Sequence, residues 1–219
     1  NVATLNSSAF AKIAGIDNIS PNGVLANRRS LYGGYFNGGV GAGQSYAYVG
    51  IKYNATNTGT GGTNYKIIGN GTNSTMIMDK ENKPRVLFSP EAPEILFEDY
   101  GTAELVNGEV YVPIDEILKE SLYIDDKHPL KVFIQLEGDC NGVFITEKSK
   151  NGFKVKELAN GTSNTKFSWH IVANRADDKD AQGNITSEHV GLRLPYGPVP
   201  AKETQLAIKS NEKNIVAQK

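Results

Sequence analysis

The chain has 219 residues, enough for one large β domain or two small ones, and its 23 Lys+Arg nearly balance 24 Asp+Glu, for a formal net charge of −1. That balance excludes the clustered basic surface that nucleic acid or an anionic membrane needs, and no apolar run approaches the ~20 residues of a membrane-spanning helix. A single cysteine, Cys140, excludes a disulfide within the chain, so stability must come from a sheet core, from association of copies, or from both.

The chain opens on Asn1 without a signal-peptide pattern, which predicts a leader or larger upstream region outside this sequence. Only 39% of residues are hydrophobic, while Gly (23) and Asn are heavily used, a mixture poor for helices and rich in tight turns. Seven Asn-Gly pairs begin at Asn22, Asn37, Asn70, Asn107, Asn141, Asn151 and Asn160. Both residues of such a pair accept positive φ at small cost, as the type I′ turn of a hairpin demands, so the fold class is predicted to be all-β. Residues 1–83 read as a Gly/Asn-rich, short-strand stalk with strands at 46–53, 65–68 and 75–78. These strands are expected to be too short and too interrupted by Gly to enclose a core alone. A solvated linker has no use for Tyr32, Tyr35, Phe36, Tyr46, Tyr48 and Tyr53, so packing between several copies is the expected arrangement.

From residue 84 the texture changes, and 84–194 is predicted to be an antiparallel β-sandwich-like domain. Strands are expected at 85–88, 95–97, 103–106 and 109–112. One short helix is expected within 113–121, with Ile114, Ile117 and Leu118 on one face. A meander follows at 130–136, 143–147, 153–158 and 166–173, with Phe133, Phe144, Phe153, Val155, Phe167 and Trp169 as its core. Residues 189–194 read as one more strand, and 195–219 as an extended tail that packs on a neighbour.

Groups with chemistry to offer are scattered. His128, His170 and His189 lie far apart, none in a metal-ligand spacing, and His170 beside Trp169 in a strand reads as structural. Cys140 follows Asp139 in a turn, and an acid beside it works against the thiolate a nucleophile needs. Asp178, Asp180 and Gly183 fall at the first, third and sixth places of a calcium loop, but Gln182 takes the fifth and His189 the twelfth, so a solvated loop is expected. Glu98-Asp99 and Asp125-Asp126 read as sheet-edge and turn residues, and no carboxylates are placed as a glycosidase pair. Sequons at Asn6, Asn54, Asn70, Asn73, Asn160 and Asn184 are expected by chance in so Asn- and Thr-rich a chain. No catalytic residue, metal site or cofactor is predicted, and the chain is expected not to be an enzyme.

One stretch carries a resemblance. PEILFEDYGTAELVNGEVYVPID at 93–115 is followed by VFIQLEGDCNGVFITEK at 132–148, GFKVKE at 152–157, GTSN at 161–164 and FSWHIVANR at 167–175. In order and spacing these segments resemble a C-terminal β domain of long bacterial surface proteins and phage-tail-fibre-like proteins, where it follows Gly-rich repeats of short strands. The resemblance implies a homotrimeric extracellular fibre or adhesin subunit of a virion or cell surface, with a host glycan or receptor as the further partner. It implies no specific ligand residues. The alternative is a monomeric carbohydrate-binding module of an exported protein, suggested by the tyrosines of the N-terminal region, whose rings suit sugar faces.

Overall fold

The structure is a computed structural model that describes residues 10–17, 30–38, 45–54 and 61–201. In chain order the elements are β1 (Phe10–Asp17), β2 (Ser30–Asn37), β3 (Tyr46–Tyr53), β4 (Thr63–Gly69), β5 (Ser74–Met78), β6 (Pro84–Phe88), β7 (Leu96–Glu104) and β8 (Glu109–Pro113). The helix α1 (Glu116–Glu120) follows, then β9 (Leu122–Tyr123), β10 (Lys131–Leu136), β11 (Val143–Ser149), β12 (Gly152–Glu157), β13 (Lys166–Arg175), β14 (Asp178–Lys179) and β15 (Ile185–Ser187). The fold is all-β: the strands form several antiparallel sheets, and among the described residues the one α-helix has five residues.

Among the Asn-Gly pairs, Asn107-Gly108 has both residues at positive φ (51° and 84°), closing the turn from β7 to β8. Glycine alone takes that region at Gly71 (99°), Gly142 (89°) and Gly152 (151°), whereas in the 160–161 pair it is Asn160 (54°) that does. Asn22-Gly23 lies outside the described residues.

The chain forms two compact bodies. The first falls within Asn1–Ile51, Lys66–Gly71 and Pro198–Lys219. Its sheet runs in the order β1-β2-β3-β4: β3 has the bounds expected, β4 runs longer than the expected 65–68, and β1 and β2 were not expected. Strands β1 and β2 escape a sequence reading because Gly15, Gly33 and Gly34 break their patterns. Gly15 faces Tyr32 across the strand pair, and the tyrosine ring occupies the volume that a Cβ at Gly15 would need. Tyrosine builds most of this core, with Ile51 buried beside it. Tyr32, Tyr35 and Tyr48 are buried, with the Tyr48 ring 4.7 Å from Tyr35 and 5.1 Å from Tyr32, centroid to centroid. A buried phenol needs a partner for its hydroxyl. Tyr46 donates to the Pro198 carbonyl at 2.7 Å and Tyr48 to the Val199 carbonyl at 2.8 Å.

The second body falls within Lys52–Tyr65 and Thr72–Gly197. One sheet has the order β10-β13-β7, with β9 pairing the end of β13, and a second has the order β11-β12-β8. Leu105, Val112, Leu130, Phe153, Val155, Phe167 and Ile171 belong to one buried cluster drawn from both. Phe153, Val155 and Phe167 are therefore core, as expected, and Trp169 packs against them. Phe133 and Phe144 are not: they stand 55% and 45% exposed. Parity decides this. Val132, Ile134 and Leu136 face the core, as do Val143 and Ile145, so the alternate positions point outward.

Residues 96–104 form one strand where two were expected, because the Trp169 ring covers the gap at Gly101. The helix is held by the Asp115 carboxylate, which accepts from the backbone N–H of Ile117 (2.8 Å) and Leu118 (3.2 Å). Ile114 is buried before the helix and Leu118 packs on the core, but Ile117 is exposed. Residues 189–194 form no strand beyond a bridge between Arg193 and Glu94.

Candidate ligand-binding face

The outer face of β10-β13-β7 is laid out in rows by strand register. Glu98, Val172 and Lys131 form one row, Tyr100, His170 and Phe133 the next, and Thr102, Ser168 and Gln135 the third. In the middle row His170 lies between two rings, 4.4 Å from Tyr100 at 15° and 5.4 Å from Phe133 at 28°. Centroids this close and planes this nearly parallel mean face-to-face stacking across three strands. Tyr100 (64%) and Phe133 (55%) are the exposed outer members of the stack.

Polar contacts hold the row in place. The Tyr100 hydroxyl donates to the Glu98 carboxylate, and this bond raises the hydroxyl's pKa because the phenolate would lose the donor and face a negative charge. Glu98 Oε2 also lies 3.3 Å from His170 Nε2, which is buried and makes no hydrogen bond. Beneath the row the Trp169 indole packs beside Gly101 and meets the Phe153 ring edge-on at 5.8 Å, so the platform rests on core.

Between the aromatic row and the third row lies a hollow of about 490 Å³, lined in part by Tyr100, Phe133 and His170 and by the polar Thr102, Gln135 and Ser168. Ring edges and faces beside hydroxyl and amide groups suit an amphipathic ligand that alternates C–H and O–H surface. The Ser168 hydroxyl also donates to Glu137, bringing a carboxylate to the same side.

Of the polar residues singled out from sequence, His170 and Glu98 fall on this face and the others elsewhere. Each histidine has its own carboxylate: Asp125 for His128 (2.9 Å), Glu98 for His170 and Asp178 for His189 (3.3 Å). Cys140 lies in a turn with its Sγ 3.4 Å from the Gly142 N–H. In the 177–183 loop, Asp178 is gripped by the Arg175 guanidinium at 2.9 and 3.0 Å. Asp180 accepts from the backbone N–H of Gln182 (3.0 Å) and Asn184 (2.9 Å), and Asp177 from those of His189 and Val190. Among the described residues no three His, Cys, Asp or Glu side chains are grouped to hold a metal ion.

The tyrosines of the N-terminal region, expected to offer rings to sugars, are instead mostly core: Tyr32, Tyr35, Tyr48 and Tyr53 are buried. The exposed rings that stack on His170 lie on β7 and β10, and only strand register brings them together. No protein-family model, curated protein or solved structure matches this chain, so its functional reading rests on its own residues.

Proposed function

We propose that the chain is a structural and adhesive subunit of an extracellular fibre, either phage-tail-fibre-like or of a bacterial surface appendage. In this reading it is a homotrimer whose Gly-rich N-terminal region serves as stalk and whose second body, a sandwich-like β domain, is displayed for attachment to a host surface glycan or receptor. The observation that carries the attaching role is the exposed Tyr100–His170–Phe133 row beside its polar hollow. Monomer surfaces do not ordinarily organise stacked rings on a rigid sheet without something to bind. The order of the segments at 93–175 supports the fibre setting.

The test is binding of the full chain to immobilised glycans and host surface extracts, compared with Tyr100→Ala and Phe133→Ala. Both variants remove exposed side chains and leave the fold intact, and each is expected to weaken binding at least tenfold. Binding by the wild type that neither variant alters would overturn the assignment of this face. The same row favours a second reading, a monomeric carbohydrate-binding module of an exported protein. Light scattering separates the two, since the module has the mass of one 23.7 kDa chain.

A further inference from the structure

Strands β5 and β6 form a two-stranded hairpin that is exposed at every position. Its register pairs Ser74 with Phe88, Met76 with Val86 and Met78 with Pro84, and between these Thr75 with Leu87 and Ile77 with Arg85. The pleat therefore puts Met76, Met78, Pro84, Val86 and Phe88 on one face, and Ile77 and Leu87 on the other. Both faces are apolar and both are bare: Met76 is 72% exposed, Phe88 68%, Leu87 52% and Ile77 45%.

The hairpin is nonetheless shaped in advance. At its tip the Asp79 carboxylate accepts from the backbone N–H of Glu81 (2.8 Å) and Lys83 (3.0 Å) and from Arg85 Nε (2.8 Å). A two-stranded hairpin is marginal alone in water, so a ribbon with this composition needs a cover.

The cover is identified by area, symmetry and charge. Met76, Met78, Val86 and Phe88 expose on the order of 500 Å² of apolar surface on one face, and Ile77 and Leu87 on the order of 200 Å² on the other. The first is as large as the roughly 300–600 Å² of the largest patch on a typical monomer, a size that is often functional. A two-fold pair buries the same patch on both subunits and would leave one face of the ribbon wet. A closed ring of head-to-tail contacts buries two different patches on each subunit. The one charge on these faces, Arg85, is already neutralised by Asp79, which leaves nothing to attract a polyionic partner.

We propose that the hairpin at residues 74–88 is the contact through which copies of this chain close into a ring. Its Met76–Val86–Phe88 face packs on one neighbour and its Ile77–Leu87 face on the next. The inference deepens the homotrimeric reading by naming where the copies meet.

The experiment is light scattering over a concentration series on the full chain, with Val86→Ser/Phe88→Ser and Ile77→Ser/Leu87→Ser as separate double variants. The wild type is expected at three times 23.7 kDa. Each double variant is expected to dissociate to single chains, with far-ultraviolet dichroism and Trp169 fluorescence unchanged. A single-chain wild type overturns the inference and the homotrimer together, while glycan binding by that single chain would leave the adhesive reading standing. A trimer indifferent to both variants overturns only the role of the hairpin. Sensitivity to one face alone overturns the ring in favour of a two-fold contact. Amide exchange of the wild type gives an independent measure should a variant misfold: protection at 75–88 must rise with protein concentration, and constant protection overturns the inference.

Discussion

The second body contains two hairpins that look alike in sequence and differ in fate. In β11–β12, Phe153 and Val155 are buried, and β12 gains β8 on its far edge. In β5–β6 the register is as regular and the residues as apolar, but among the described residues no third strand pairs with it. Alternation and turn chemistry suffice to specify a hairpin; whether its faces are covered depends on what the rest of the chain, or another chain, brings to it. Phe153 and Phe88 are the same side chain in these two situations.

Four experiments probe that contrast. The largest effect is expected for Phe153→Ala, which should destabilise the protein by about 3–5 kcal/mol in denaturant titration, because it empties a closed core. Phe88→Ala in dilute, dissociated protein should stay within about 0.5 kcal/mol of wild type. A large loss there would show that the β5–β6 hairpin is covered within its own chain.

Next in size are substitutions at two positive-φ glycines. Gly108→Ala (φ 84°) would drive a Cβ into the Gly161 carbonyl and should cost about 2–3 kcal/mol, whereas Gly183→Ala (φ 86°) meets open space and should cost about 1 kcal/mol. Equal losses in thermal melts would mean that covering adds nothing to backbone strain.

The third contrast is in acid. Glu157, on the covered hairpin, accepts from the backbone N–H of Asn141 and Ser163, and Asp79, on the bare one, from those of Lys83 and Glu81 and from Arg85. These bonds favour the carboxylate, so both folded pKa values lie below their ordinary ones. Each contribution is therefore full above the unfolded pKa and is lost as pH falls through the folded one. Glu157→Gln should lower global stability at neutral pH and flatten its fall in acid. Asp79→Asn should change only amide exchange at the tip of its own hairpin.

The smallest effect is expected at Asp125. Desolvation acts to raise its pKa, but hydrogen bonds from Tyr123 and His128 outweigh it and bring the value to about 2. A carboxyl chemical shift that titrates near 4 would break the assignment of hydrogen bonds from Tyr123 and His128 to Asp125.

Much of the second body was legible because its strands alternate cleanly. The short helix within 113–121 and the strands at 109–113, 131–136 and 152–157 follow from patterns a few residues long. Face assignment was less legible. Phe133 and Phe144 look like core by size, and only the parity of Val132, Ile134, Val143 and Ile145 shows that they point outward. The binding face depends on register among β7, β13 and β10, which joins residues 100, 133 and 170, and no local pattern encodes so distant a pairing. The tyrosine core of the first body was hidden for a related reason. Its rings pack beside glycines, and glycine in a sequence reads as interruption.

The two glycines beneath rings have a consequence for how the strands find their alignment. Gly15 stands opposite Tyr32, and Gly101 opposite Trp169. Sliding either pair by one residue would bring a Cβ, that of Ala14 in one case and of Tyr100 or Thr102 in the other, to the place where the ring now lies. The missing methyl thus works as a keyway, admitting the ring at one setting and jamming at its neighbours. In an antiparallel pair a one-step slip would turn every side chain to the wrong face. One absent carbon per strand pair adds a steric penalty against that error.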